Sequence, residues 1–263
     1  MDVVRLTKHH GLGNDFLVLL DPSGTTSIDD ATARALCDRR RGVGADGLIV
    51  GGPGRDGADV TMVLHNADGG RAEMSGNGIR CLGQAVALDR GADRLDLLVA
   101  TDAGARALAV RPGAEPRTAA VGVDMGPAKV DLEPSLDALV GAAALVDVGN
   151  PHLVLPRDDL AAVDVTGDGP ALEHLLPGGV NVEWYRRRDD GDLELVVWER
   201  GAGATEACGT GACAVAAADA AWHGRSGAVQ AHMPGGAVEV GLGESLTLTG
   251  PAVLVATVEV PWP

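Results

Sequence analysis

Short runs of valine and leucine alternate with clusters of glycine, proline and polar residues along the whole chain. This pattern is typical of β-strands separated by turns. It predicts strands at, among other places, residues 16–20, 48–50, 60–64, 95–100, 105–110, 121–123, 144–148, 193–197, 238–240 and 253–258.

Helical spacing of apolar residues is less common than strand alternation. It predicts a helix over 28–39, with Ser27 as its N-cap, and two alanine-rich helices over 76–88 and 209–222. A shorter element is predicted at 172–176, after a helix near 158–163. Many strands with one long helix in each half indicate an α+β fold whose sheets wrap around those helices.

The chain contains an internal repeat. Ser-Gly-Asn-Gly at 75–78 matches Cys-Gly-Thr-Gly at 208–211, and each opens an alanine-rich helix, at an offset of 133 residues. Residues 13–19 also parallel 149–155, at an offset of 136. Two matches in the same order predict two homologous halves, joined by a linker near 112–118.

Composition narrows the classes of function. The 263 residues carry a net charge of −16 and only six aromatic side chains. This excludes a disordered chain and a coiled coil, and it argues against binding of nucleic acid. The first residues form no apolar signal core and no apolar run reaches ~18 residues, so we expect a cytoplasmic protein without a membrane partner.

No metal or cofactor is expected from the residue types. The four cysteines match no zinc-binding spacing. Lys8 and Lys129 are the only lysines, and neither has a context that suggests a Schiff base, which argues against pyridoxal phosphate chemistry.

The Cys-Gly-Thr-Gly segment predicts a binding site at a helix N-terminus. Unpaired N–H groups of the first turn and the helix dipole would bind a carboxylate, and glycines would let it approach. We expect Cys208 at or beside the N-cap, where the pKa of a thiol falls. Alternatively, the glycines only turn the chain and Cys208 is a small buried residue.

The duplication favours the functional interpretation. Two helix N-termini facing one cleft would hold one carboxylate from both sides. They would also place residues 75 and 208 on opposite faces of the same Cα, which suits proton removal from one face and delivery to the other.

Further polar residues cluster in sequence around these loops: Asn14, Asn66, Asn150, His152, Asn181, Glu199 and Arg200. Arg200 would bind a second carboxylate through its planar fork, and Glu199 would accept from an ammonium group. Each Asn taken alone is better explained by a turn, and Glu199 by a surface salt bridge. Asn66 and Glu199 occupy equivalent repeat positions, which favours a shared site.

With these residues the chain resembles the diaminopimelate epimerase family, over essentially its whole length. The resemblance rests on residues 8–16, 41–48, 66–80, 149–152, 181 and 198–214. The most specific stretch is Trp-Glu-Arg-Gly-Ala-Gly, followed by Ala-Cys-Gly-Thr-Gly-Ala-Cys-Ala.

The resemblance implies an isomerase that interconverts LL- and meso-diaminopimelate without pyridoxal phosphate, in lysine and peptidoglycan precursor synthesis. It implies two pseudo-symmetric domains, each a mixed sheet curled around a central helix, at 1–117 with about 252–263 and at 118–251. A cytoplasmic homodimer is implied, with a diamino dicarboxylic acid as substrate. Cys208 and residue 75 would be the catalytic pair. The implied substrate-binding residues are Asn14, Asn66, Gly76, Asn77, Asn150, His152, Asn181, Glu199, Arg200, Gly209 and Thr210.

Ser75 departs from the family pattern, which has a cysteine there. A serine hydroxyl is a much weaker acid than a thiol and abstracts a proton poorly without a helper base. The substitution is either introduced or natural; a natural serine would work with a helper at reduced activity or serve a changed reaction. Alternatives to the epimerase are therefore a related isomerase or dehydratase of the same fold, or a non-catalytic amino-acid binder.

Overall fold

The computed structural model describes residues 3–133 and 141–261. The chain forms two compact units, Met1–Val123 with Gly250–Pro263 (unit 1) and Asp124–Thr249 (unit 2). None of the described helices is long and apolar enough to cross a membrane.

Unit 1 contains most of the first half of the chain. Its elements are β1 (Val3–Gly11), β2 (Asn14–Leu20), α1 (Asp30–Cys37), β3 (Gly47–Pro53), β4 (Val60–Asn66), β5 (Arg71–Ala72), α2 (Gly76–Asp89), β6 (Leu95–Thr101), β7 (Gly104–Pro112) and most of β8 (Thr118–Gly126).

Unit 2 repeats this order of elements. It contains β9 (Lys129–Asp131), β10 (Ala144–Asp147), β11 (Pro151–Pro156), α3 (Val165–Glu173), β12 (Asn181–Arg187), β13 (Leu193–Glu199), β14 (Gly203–Thr205), α4 (Gly209–His223), β15 (Gly227–Met233), β16 (Gly236–Leu242) and the start of β17 (Leu246–Pro261). The rest of β17 belongs to unit 1, where it pairs antiparallel with β1.

Strand pairing is the same in the two units. In unit 1, β1–β2, β3–β4, β6–β7 and β7–β8 are antiparallel, whereas β2–β3 and β4–β6 are parallel. In unit 2, β10–β11, β12–β13, β15–β16 and β16–β17 are antiparallel, whereas β11–β12 and β13–β15 are parallel. Each unit is therefore a mixed sheet of one topology, as the predicted α+β repeat requires.

One helix lies at the centre of each unit. α2 contacts β1, β2, β3, β4 and β7, and α4 contacts every strand of unit 2 from β9 to β13 together with β15 and β16. In α2 all residues from Gly76 to Ala87 are buried, and in α4 all from Gly211 to Asp219. The alanine-rich α4 is apolar on nearly all sides, as expected of an enclosed helix, whereas α2 also buries Asn77, Arg80 and Gln84.

The second helix of each unit covers the outer side of the parallel strand pair. α1 packs Ala33 and Cys37 against Leu17 and Leu48. α3 packs on a cluster that includes Leu153, Val182 and Trp184. The parallel strands are thus covered on both faces, which parallel pairing generally requires.

The structure confirms the predicted strands and the two central helices, and it corrects three other predictions. α1 begins at Asp30 because the carboxylate of Asp29, not Ser27, accepts from Thr32 N at 2.8 Å. A single helix, α3, replaces the elements predicted at 158–163 and 172–176. Gly167, Gly169 and Pro170 obscured it, because these residues weaken helix signals. The predicted linker at 112–118 is instead the turn of the β7–β8 hairpin.

We predict that Leu153→Ala destabilises the protein, because Leu153 is fully buried between α3 and the sheet. Truncation of a buried leucine leaves a cavity and costs about 2–5 kcal/mol of unfolding free energy. Leu175→Ala, at a side chain that is 38% exposed, is the control and should change stability by less than ~0.5 kcal/mol. Equal midpoints for both variants in urea denaturation would contradict the assignment of this core.

Candidate functional site

Both central helices begin with a side chain that caps the first turn. Ser75 is extended (φ −138°, ψ 126°), and its Oγ accepts from Gly78 N at 3.1 Å. Cys208 is extended (φ −124°, ψ 115°), and its Sγ accepts from Gly211 N at 3.3 Å. The two predicted catalytic residues therefore have the same backbone and capping geometry, each in its own unit.

Glycine is favoured as the third helical residue in both repeats, because an added Cβ would force neighbouring side chains to move. A Cβ on Gly211 would lie 2.7 Å from Glu183 Oε1, closer than real contacts allow. A Cβ on Gly78 would lie 3.1 Å from Ile49 Cδ1 and 3.2 Å from Ser75 Cβ. Glycine lets each helix start directly against the sheet, with the first-turn N–H groups, which lack intrahelical partners, next to the capping side chain.

Asn14 and Asn77 form one hydrogen-bonded group in unit 1. The two-residue β1–β2 turn, with positive φ at Leu12 (54°) and Gly13 (88°), sets the position of Asn14. Asn77 Nδ2 donates to Asn14 Oδ1 at 3.2 Å, and the buried Arg80 donates to Asn77 Oδ1 at 2.7 Å. The repeat loop and the Asn14 loop are thus fixed to each other.

Charged residues that sequence reasoning missed support the Asn14 loop. Asn14 Nδ2 donates to Asp46 Oδ2 at 2.9 Å, and Arg39 bridges Asp46 at 2.6 Å and Asp15 at 2.7 Å. Lys8 lies 2.9 Å from Asp15. Burial raises the pKa of Asp15, but hydrogen bonds and charges from Arg39 and Lys8 outweigh it and lower this pKa to about 2. Asp46 lies within residues 41–48, one of the stretches that carry the family resemblance, and nothing else in the sequence pointed to it.

His152 and Asn150 come together in unit 2, on the loop and first residues of β11. His152 Nε2 lies 3.0 Å from Asn150 Oδ1. His152 Nδ1 lies 2.7 Å from Glu183 Oε1, and both side chains are completely buried. Glu183 on β12 is a site residue that the sequence did not reveal.

Asn181 and Arg200 are also brought together. Asn181 Nδ2 donates to Pro151 O at 3.0 Å, and its Oδ1 accepts from Arg200 N at 3.0 Å. The exposed Arg200 guanidinium donates to Gly178 O at 3.0 Å. These contacts hold the arginine at the end of β13, where its remaining donors stay available for an anion.

Glu199 lies against the thiol of Cys208. Thr205 Oγ1 donates to Glu199 Oε1 at 2.5 Å. The carboxylate also acts on the Cys208 thiol as a neighbouring negative charge. Burial raises the pKa of Glu199, and the neighbouring charge of Glu183 raises it further, against the hydrogen bonds from Thr205 and Cys208.

The prediction of a lowered pKa at Cys208 is wrong. Burial and the negative charges of Glu199 and Glu183 raise the pKa of this thiol well above its usual value. Hydrogen bonds to Thr210, whose Oγ1 lies 3.4 Å from Sγ, and from Gly211 N oppose the shift but do not reverse it. The sequence indicated a helix N-terminus, which lowers the pKa of a thiol. It did not reveal the burial or the two carboxylates, which raise the pKa.

The remaining predicted residues hold simpler positions. Gly76 and Gly209 are the first residues of α2 and α4, and both are buried. Asn66 is exposed at the last position of β4, matching Glu199 at the last position of β13. The pair predicted to be equivalent by sequence is therefore equivalent in strand position.

The arrangement in unit 2 can bind a carboxylate and move a proton. Helix N–H groups would offer an anion site, and the thiol of Cys208 at its edge is under the electrostatic influence of Glu199. Unit 1 repeats the anion site with a hydroxyl in place of the thiol.

Comparison with known proteins identifies close sequence relatives. The family described as diaminopimelate epimerase matches residues 6–130 and 144–255. The diaminopimelate epimerase of Synechococcus elongatus is 39% identical over 275 residues, covering 96% of each chain. The diaminopimelate epimerase of Rhodococcus opacus is 39% identical over 276 residues, covering 95% of each chain.

A solved structure shows the same fold at low sequence identity. A predicted epimerase from Pseudomonas aeruginosa has a TM-score of 0.75 and 20% identity, and the match covers 99% of this chain and 100% of that one. At this identity the likeness concerns the fold alone.

We predict that Glu199→Gln accelerates alkylation of Cys208 by iodoacetamide near neutral pH. Removal of a negative charge lowers the pKa of Cys208, so the reactive thiolate becomes more abundant. Mass spectrometry of the Cys208 peptide should show an increase of about threefold or more, since one pKa unit changes the thiolate fraction up to tenfold.

Glu194→Gln is the matched control, because Glu194 lies on the same strand but pairs with Arg186. It should leave the alkylation rate unchanged. A wild-type Cys208 that is already fully reactive at neutral pH would show that the helix N-terminus prevails over the carboxylates.

Proposed function

Because the chain belongs to the diaminopimelate epimerase family, we propose that it interconverts LL- and meso-diaminopimelate by moving a proton at one Cα. The observation that carries this proposal is the duplicated cap: Ser75 and Cys208 occupy the same position on equivalent helices. The names of the relatives do not favour a dehydratase or a non-catalytic binder.

Epimerisation requires one proton-handling group for each face of Cα. We therefore propose that Ser75 and Cys208 are these two groups. Gly76, Asn77, Gly209 and Thr210 would hold the carboxylate next to the reacting carbon through first-turn N–H groups. These donors would stabilise the negative charge that develops on the carboxylate when the Cα proton leaves.

On the Cys208 face, Glu199 accepts the thiol proton and leaves a thiolate. The thiolate removes the Cα proton, the electrons of the C–H bond pass into the carboxylate, and a proton from the opposite face completes inversion. Burial raises the pKa of both Glu199 and Cys208, so the proton is shared between two groups of reduced acidity. The electrostatic interaction between the two groups supports this transfer.

The distal end of the substrate would be read by polar residues around the same loops. The exposed fork of Arg200 suits a second carboxylate, and side chains rich in oxygen suit the ammonium groups. The proposed substrate-binding set is completed by Asn14, Asn66, Asn150, His152, Asn181 and Glu199.

The setting of the enzyme follows from the family and the composition. The family name supports a role in lysine and peptidoglycan precursor synthesis. We propose a cytoplasmic homodimer that needs no pyridoxal phosphate; the paucity of lysine supports the last point.

Cys208→Ala should abolish exchange of the Cα proton of diaminopimelate in heavy water, measured by NMR. Binding should stay within about tenfold of wild type by calorimetry, because backbone N–H groups rather than the thiol hold the carboxylate. Unchanged exchange in this variant would remove Cys208 from the mechanism.

Because residue 75 is a serine, we predict that the two stereoisomers exchange their Cα protons with solvent at different rates. The isomer that presents its Cα–H to Cys208 should exchange with heavy water, whereas the other, facing a hydroxyl of high pKa, should exchange slowly. Net epimerisation should be far slower than exchange at the Cys208 face, and Ser75→Cys should restore symmetry. Each isomer is incubated separately and followed by NMR; brisk exchange of both by the Ser75 protein would show that serine works with a helper base.

A further inference from the structure

The two units differ in what lies under the first turn of the central helix. Parallel pairing places Phe16 beside Gly47 in unit 1 and His152 beside Asn181 in unit 2. Ile49 lies two residues after Gly47 on β3, and Glu183 lies two residues after Asn181 on β12. Equivalent positions are therefore apolar beneath Ser75 and charged beneath Cys208.

The neighbours of the helix glycines confirm this equivalence. A Cβ on Gly78 would meet Ile49 Cδ1 and Phe16 Cζ, whereas one on Gly211 would meet the carboxylate of Glu183. A completely buried carboxylate is costly unless it is paired, so its presence in only one of two homologous units needs a reason.

The two carboxylate oxygens of Glu183 differ in their hydrogen-bond partners. Oε1 lies 2.7 Å from His152 Nδ1. Oε2 is buried and, among the described residues, has no hydrogen-bond partner. A structural ion pair would be expected to satisfy both oxygens, so this geometry favours a role at the site over a role in stability.

We propose that Glu183 is a positioning residue that fixes the imidazole of His152 in the Cys208 half of the site. This inference rests on the proposed function. By accepting from Nδ1, the carboxylate sets the plane of the ring and leaves Nε2 toward Asn150. Glu199 and Cys208 are the other titratable groups near this pair.

The contact itself is tested by proton NMR of the imidazole N–H of His152, assigned by its loss in His152→Ala. Wild type should show this proton downfield and protected from solvent exchange, because it donates to a carboxylate. Glu183→Gln, a weaker neutral acceptor, should move it upfield, and Glu183→Leu should remove its protection. Asp219→Asn is the control, since Asp219 is equally buried but pairs with Arg187 and Arg225.

The role is tested by a double-mutant cycle on Cα exchange at the Cys208 face. Glu183→Gln and His152→Ala should each slow exchange by about tenfold or more, as loss of a residue that orients a functional group does. If Glu183 acts through His152, the double variant should lie within about twofold of His152→Ala. Asp219→Asn should combine additively with His152→Ala.

The outcomes separate this inference from the proposed function. Absence of Cα exchange in the wild type would refute the epimerase proposal, and the NMR measurement would still decide the contact. Additive losses in the cycle, or an imidazole proton that does not respond to Glu183→Gln, would overturn the positioning role. Non-additive losses together with the NMR shift would support it.

Discussion

A helix enclosed by its own sheet must satisfy the first N–H groups of its backbone, because water cannot do so along its length. α2 and α4 both face this constraint, since most of each helix is buried. Each meets it with one capping side chain, Ser75 or Cys208, and with glycines that bring the helix start against the sheet. The donors that remain in the first turn suit an anion, so the proposed carboxylate sites coincide with the capped helix starts.

Burial has a second consequence at Cys208. It raises the pKa of the thiol and of its neighbour Glu199, so neither group is charged as readily as it would be in water. The free chain therefore holds the thiol protonated.

The two units share a strand topology, but the side chains beneath their central helices differ in polarity. Under α2 the sheet offers Phe16 and Ile49, and under α4 it offers His152 and Glu183. In unit 1 the polar residues lie to the side instead, where Asn14, Asp46 and Arg39 form a chain of hydrogen bonds. Duplication preserved the helix N-terminus and its cap, while the surrounding side chains diverged.

The sequence by itself determined the repeat, the two central helices and most strands, because local apolar patterning and the glycine motifs record them. It also predicted Asn14, Asn150, His152, Asn181, Glu199 and Arg200 as candidate site residues, through their closeness to those motifs. Only the tertiary structure decided that Glu183 and Asp46 belong beside them, since strand pairing brings these residues in from distant segments. It also decided the direction of the Cys208 pKa. A helix N-terminus can be read from sequence, but burial and the charges of Glu199 and Glu183 depend on packing between strands far apart in the chain.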